Sequence, residues 1–478
     1  MKAPKLINIS LCLVILFSLS CKKWIEVEPK TQIENDRFFA NEQGFAEALN
    51  GVYIKMGSTP LYGRELTFGL TDVLGGLYNL STSNGSVAYR DAFAGAYQND
   101  SDRPIIEGIW SNSYNAISNL NNILEQLETA DRSLFSGNQY NIIKGEALGL
   151  RAFLHFDLLR LYTPSIRNGG LDKPGVPYVT QYKPVITPKL LVSNTLEKIQ
   201  ADLDAAEDLL KSDPLFTTGA GNLVRNLRFN YYAVKAVKAR VFLWKDDKVN
   251  ALAAAKEVIA AAPVKFPFVL QAAIAAGNEA VRDRVFTTEQ IFGLYVNKLA
   301  QNYVGILDST RFTTTLIITA ARLAEQFETA SIGTTDYRNV YLIRNLTGLA
   351  TPKIFFGKLY QPSGITEAFS KRMPLIKIPE MYYIAAECLK DTDPATAIGY
   401  LTTVRQARGI TAVISAASTS AQIQEEIRKE YWKETPSEGQ FFFYHKRMNS
   451  TTVPGVSGTY PPARYVLPLP QLETEFGY

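Results

Sequence analysis

From Ile106 onward the apolar residues step through Trp110, Tyr114, Ile117, Leu120, Leu124 and Leu127 at intervals of three and four. That spacing predicts one buried face of a long amphipathic helix. A second stripe, through Ile143, Ala147, Leu150, Leu154, Leu158 and Leu161, stops near Tyr162, Thr163 and Pro164, because the residue before a proline is steered away from helix. A third runs through Leu196, Ile199, Leu203, Ala206 and Leu210. Asn194, with Glu197 three residues on, predicts a capping box at its start, each side chain satisfying an orphan backbone N–H.

Residues 230–262 predict a tight helical hairpin: small Ala233, Ala236 and Ala239 beside Phe242 and Leu243, a polar break at 245–248, and an alanine-rich return ending at Pro263. The pattern recurs at 381–389, with a break at 390–394 and a return over 395–408 that ends at Gly409. Helix, short turn and helix of this length is the unit of tetratricopeptide-type repeats, although the full repeat consensus is absent. The expected fold is therefore all-α, a scaffold of helical pairs over about 37–60, 104–262 and 376–447 with a few short strands.

Two stretches break the helical pattern. Residues 61–103 mix Tyr62, Phe68, Tyr78, Tyr89, Phe93 and Tyr97 with many glycines and with Asn79, Asn84, Asp91 and Asn99. Residues 264–375 are also irregular, with strand-like runs at 290–296 and 353–360. Long loops on a rigid scaffold are where binding groups concentrate, so both stretches are expected to face ligand.

The chain opens with basic Lys2 and Lys5, an apolar-dominated run over 6–19, and small Ser20 directly before Cys21. This is the layout of a secretory leader over residues 1–20, and it resembles a bacterial lipoprotein box, although Ser18 stands where Leu is usual. The run is shorter than the roughly 20 apolar residues a membrane-spanning helix needs, so cleavage and lipidation at Cys21 is the reading adopted, with 21–478 forming one mature domain. Of three cysteines, only Cys388 then remains as a free thiol, set in a helical pattern that predicts a buried small side chain rather than a nucleophile. The formal charge of +4 is small for 478 residues and argues against a nucleic-acid partner.

Catalytic groups are sparse. Only His155 and His445 exist, which excludes a histidine-rich metal site, and His155, beside Leu154 and Phe156, is expected to be a satisfied core histidine. Glu425, Glu426, Glu430 and Glu434 could supply paired carboxylates for glycoside hydrolysis. The interleaved Arg428, Lys429 and Lys433 instead predict a solvated, salt-bridged helix. Glu146 with Arg151, and Glu387 with Arg405, are expected to be structural pairs. No catalytic residue, metal site or cofactor is expected.

Seven segments in order then carry a resemblance that each alone would not: CKKWIEVEP at 21–29 with FFANEQGFAEALNGVY at 38–53, IWSNSYNAISNLNNIL at 109–124, GEALGLRAFLHFDLLRLY at 145–162, LEKIQADLDAAEDLL at 196–210, KAVKARVFLW at 235–244, IPEMYYIAAECL at 378–389 and LPLPQLE at 467–473. In these the chain resembles the SusD/RagB family of lipid-anchored nutrient-binding proteins of the Bacteroidetes outer membrane. It departs from the family pattern at Gln440 and Tyr444, where Arg and Asp are frequent, and at Thr402 and Thr403, the place of a usual Asn. The resemblance implies a tetratricopeptide-like scaffold, an exposed binding surface built from intervening loops, an oligosaccharide or peptide ligand, and a SusC-like TonB-dependent barrel as partner. It implies localisation at the outer membrane, facing the exterior, and no catalysis.

The binding loops lie outside the matched segments, so site residues are chosen on chemistry. Aromatic rings offer flat faces to the CH-rich faces of sugars, and Asn, Asp and Arg hydrogen-bond hydroxyls. Tyr78, Asn79, Tyr89, Arg90 and Asp91 are the candidates in the first irregular stretch, and Tyr295, Asn297 and Tyr303 in the second. For each of them, packing within its own loop is the competing role. A secreted glycosidase and a tetratricopeptide-type protein adaptor are the alternatives of other classes.

Overall fold

A computed structural model describes residues 35, 37–80, 87–219, 221–307, 316–347 and 353–476. The leader and Cys21 lie outside the described residues. The first two expected helices are present as Arg103–Thr129 and Gln139–Tyr162. Tyr140 donates to Leu127 O at 3.0 Å and Tyr162 to Ile106 O at 2.7 Å, so opposite ends meet and the helices run antiparallel.

Gln139–Tyr162 departs from the amphipathic expectation, since it is buried all round. A helix without a solvated face must sit inside the layers, and this one packs on Glu42–Met56, Arg103–Thr129 and Val192–Leu210. Its buried charged residues each find a partner, but Glu146 and Arg151 do not find each other. Arg151 forms a bidentate pair with Asp202 at 2.7 and 2.8 Å, while Glu146 is taken by Arg225 and Arg228.

The third helix, Val192–Leu210, begins two residues before Asn194, and the expected capping box does not form. Asn194 Nδ2 instead donates to Glu197 within the first turn, at 3.4 Å. The strand pair Pro174–Pro177 and Lys189–Leu191 explains the shift. Val192 N–H already donates to Lys173 O, and Ser193 N–H to Leu171 O, so a tertiary contact replaces the side-chain cap.

The two hairpins form as Tyr231–Trp244 with Lys248–Lys265, and Ile378–Leu389 with Pro394–Ala407. They stack on each other through the Lys248–Lys265 and Ile378–Leu389 helices. Asn230, Asp247 and Asp393 cap three of these helices by accepting from backbone N–H groups. Pro263 does not end its helix. It removes one N–H, but Phe266 N–H closes the last turn onto Ala262 O while Ala262 and Phe266 are buried.

Gln290–Tyr295 and Lys353–Phe356 are strands as expected, paired antiparallel with Arg372–Lys377 and Ile343–Leu346. Residues 61–78 correct the loop expectation: Leu61, Tyr62, Leu66, Phe68 and Leu77 are all core. The glycines there serve close packing rather than mobility. At Gly76, with φ of 73°, an added Cβ would lie 2.2 Å from Pro454 O.

The irregular 287–377 stretch is held by buried charge. Glu430 and Glu434, on the helix Ser420–Glu434, are buried rather than solvated, and only Glu425 and Glu426 fit the surface reading. Arg338 bridges Asp336, Glu430 and Glu434 at 2.8, 2.9 and 3.1 Å. Arg408 grips Glu289 with two nitrogens and Glu434 with two, and Lys377 reaches both Glu434 and Glu438. Burial alone would raise the Glu430 carboxyl, but Arg338, Lys433 and Arg405 outweigh it and hold it down to about 2. Glu387 pairs with Arg447, and Arg405 with Glu426 and Glu430, so the expected Glu387–Arg405 pair does not form.

Both histidines are buried and neutral. His155 stacks on Tyr178, accepts from Val179 N–H on Nε2 and sits 2.8 Å from Arg151 O through Nδ1, the satisfied core histidine expected. Neither ring nitrogen of His445 has a hydrogen-bond partner among the described residues. Burial pushes His445 down to about 3. Cys388 is buried and its thiol is pushed up to about 12 by burial, as befits a packing residue.

Glu434→Gln will leave Arg408, Lys377 and Arg338 short of a carboxylate and cost about 3–5 kcal/mol, read by denaturant unfolding. His445→Phe will retain or raise stability at neutral pH. The unfolded His445 protonates as pH falls through its ordinary 6.5 while the folded one resists to about 3, so stability is lost across that window. Melting curves of the variant should therefore lose less on acidification than those of the parent.

Candidate ligand-binding cleft

The cleft that joins exposed aromatic surface to hydrogen-bonding groups lies where Glu42–Met56 ends, between the turn at 57–60, residues 224–228 and the end of the strand Gln290–Tyr295. Its volume is about 770 Å³. The strand explains the presentation of Tyr295: five buried residues precede it and its own ring is 49% exposed. Asn297 and Lys298 follow on the same rim, both exposed.

The floor is rigid. Tyr53 is buried, its hydroxyl donates to Glu146 at 2.5 Å and accepts from Phe229 N–H at 2.8 Å. Arg228 lies over the Tyr53 ring at 4.2 Å, donates to Glu146 at 3.0 Å and to Asn50 Oδ1 at 2.5 Å. Arg225 takes the other Glu146 oxygen at 2.6 Å. Burial would raise the Glu146 carboxyl, but Arg228 and Arg225 outweigh it and keep it below its usual range, so the floor holds its charges fixed.

The walls offer polar groups of two kinds. Thr59 is already bonded to Asn302 at 3.2 Å. Ser58 Oγ is buried and lacks a partner among the described residues. None of the residues lining the cleft is Asp, Glu, His or Cys. The arrangement can stack a flat apolar ring face and hydrogen-bond hydroxyls, and it brings no acid and base together for bond cleavage.

Of the residues chosen from sequence, Tyr295 and Asn297 come together here. Tyr78, Tyr89 and Tyr303 are corrected: each is at most 3% exposed, and the core, not the surface, takes their rings. Tyr78 donates to Phe68 O, Tyr89 to Glu65 and Tyr303 to Phe356 O, which satisfies each hydroxyl inside the protein. Asn79 holds the 316–319 segment by accepting from Thr319 N–H at 2.8 Å. Asp91, on the helix Val87–Ala94, accepts from Asn99 and Ser101 in the turn that follows, and it and the half-buried Arg90 lie outside the cleft. Tyr53, Asn50 and Arg228 were not legible as site residues, because Tyr53 and Asn50 look like helix pattern and Arg228 stands in no motif.

A second, larger cavity of about 880 Å³ runs along Trp110, Tyr114, Val185, Ile186, Leu472 and Phe476. It is mostly apolar. Glu107, one of its few charged groups, accepts from Gln471 N–H within the protein.

Residues 23–243 match the model of a SusD-like family described as starch-binding and associating with the outer membrane. Among solved structures, a SusD superfamily protein from Bacteroides vulgatus superposes with a TM-score of 0.71 at 20% identity, covering 91% of this chain and 97% of that one. The chain has a SusD-like fold. A SusD superfamily protein from Bacteroides thetaiotaomicron superposes at 0.69 with 22% identity, covering 91% and 98% of the two chains. A SusD-like carbohydrate binding protein from Bacteroides vulgatus gives 0.71 at 18%, covering 91% and 96%. No curated protein shows significant similarity to the chain. The likeness in fold thus extends over 91% of the chain, mostly helical with short strands as the sequence led one to expect, while the family match by sequence is confined to residues 23–243. Among the described residues no helix is long and apolar enough to cross a membrane.

Glu146→Gln will leave Arg225 and Arg228 competing for a neutral amide. The expected cost is about 3–5 kcal/mol of stability, measured by urea unfolding.

Proposed function

We propose that this SusD-like protein captures an oligosaccharide at the bacterial surface and passes it on chemically unchanged. In this reading a lipid on Cys21 holds it at the outer membrane, facing outward, and a SusC-like TonB-dependent barrel receives the cargo. The observation that carries the reading is Tyr295, a half-exposed ring at the mouth of a cleft whose floor is locked by Tyr53, Arg228 and Glu146. A ring held by a strand end meets a sugar face without first paying for loop ordering. Asn297 stands exposed on the rim of the same cleft to hydrogen-bond hydroxyls. The family's description as starch-binding and outer-membrane associated supports this choice of ligand class.

Stacking on one ring contributes about 0.5–1.5 kcal/mol, which suits a carrier that must also release. A glycan array on the soluble form beginning at Lys22 should show oligosaccharide binding. Calorimetry should then find that Tyr295→Ala weakens it by about threefold to tenfold. Tyr78→Phe, a buried change, should leave affinity intact. Chromatography showing that the purified protein shortens a bound glycan would sink the carrier reading, and an array on which only peptides bound would replace its ligand.

A further inference from the structure

The Tyr295 cleft has a charge imbalance that the family description does not lead one to expect. Arg228 and Lys298 line it, and Lys371 places Nζ 5.4 Å from the Tyr295 ring centroid. Arg228 is matched from behind by Glu146, at 3.0 Å. Lys298 and Lys371 have no carboxylate partner among the described residues. In contrast, Lys235, Lys238, Lys429 and Lys433 on the helical scaffold each reach at least one carboxylate.

The hydrogen-bonding inventory points the same way. Hydroxyls of a neutral sugar are donors as well as acceptors, and a site for them needs strong acceptors. Here no Asp or Glu lines the cleft, Asn50 Oδ1 already accepts from Arg228, and the rim amide of Asn297 is the acceptor left to a ligand among these side chains. The ammonium groups are donors only. A neutral ligand covering them would strip water from two charges and return little, whereas a carboxylate or sulfate would give charge-assisted bonds in exchange.

We propose that this cleft selects an anionic oligosaccharide, one carrying uronate carboxylates or sulfate esters, over a neutral glucan. The inference rests on the reading of the cleft as a carbohydrate site and names the ligand class for it. Lys371 lies over one face of the Tyr295 ring, which leaves the other face for stacking, and Lys371 with Lys298 on the rim takes the acidic groups. Arg228, already committed to Glu146 and Asn50, is a fixed background charge on the floor.

The test is equilibrium binding of the mature chain to an oligogalacturonide, a sulfated oligosaccharide and a maltooligosaccharide of matched length, each at low and high salt. At least one anionic ligand should bind about tenfold or more tightly than the neutral one at low salt, with the advantage shrinking as salt screens the charges. The two anionic arms separate carboxylate from sulfate recognition. Lys298→Ala and Lys371→Ala should each weaken anionic binding by about threefold to tenfold and leave any neutral binding unchanged, whereas Lys298→Arg should retain it. Melting temperatures check that the variants are folded. Tyr295-dependent binding of the maltooligosaccharide that equals or exceeds the anionic ligands overturns the charge selection and leaves the carbohydrate reading standing. Failure of all three ligands to bind overturns both.

Discussion

The carboxylate of Glu434 is the point on which the C-terminal half of this protein turns. It lies buried between Arg408, Lys377 and Arg338, which come from the C-terminal cap of a scaffold helix, a strand end and the short helix Tyr337–Leu342 in the irregular stretch that precedes both. Burying a charge is costly unless it is paired and hydrogen-bonded, so these groups are tolerated inside only in an arrangement close to this one. That requirement gives position to a stretch without regular periodicity. Burial would raise the Glu434 carboxyl, yet Arg408 and Lys377 hold it well below its usual range, and the network therefore remains charged at ordinary pH.

The cleft inherits its rigidity from a second network of the same kind. Glu146 sits on the central helix Gln139–Tyr162, but its partners Tyr53, Arg225 and Arg228 come from elements far away in the chain. These contacts fix the floor, and the strand pair Gln290–Tyr295 with Arg372–Lys377 sets the height of the rim. Lys371 has φ of 56°, a left-handed conformation, directly before that second strand, and its Nζ lies over the Tyr295 ring. Scaffold and cleft thus meet at a few buried charges rather than through an extended loop.

The departures from the family pattern noted in the sequence are absorbed locally. Gln440 lies 3.4 Å from Arg160, Tyr444 accepts from Gln424 at 2.9 Å, and Thr403 donates to Gly399 O within its own helix. None of these positions lines the Tyr295 cleft. They alter how the helices are tied together, while the cleft draws on residues outside the matched helix motifs except for Asn50 and Tyr53.

Periodicity by itself determined the long helices, the two hairpins and the strands at Gln290–Tyr295 and Lys353–Phe356, because spacing of apolar side chains reports which face an element buries. Side-chain chemistry, not spacing, put Tyr295 and Asn297 among the candidates. It could not tell Tyr295 from Tyr78, Tyr89 and Tyr303, since an aromatic ring among glycines serves equally for stacking a ligand or anchoring a turn. Nor could it find the partners of Glu146, Glu387 and Glu434, the early start of Val192–Leu210, or the strand Arg372–Lys377, whose buried run carries no alternation. Those were decided by tertiary structure, for one physical reason: burial and charge pairing depend on groups distant in the chain, and local spacing carries no record of them.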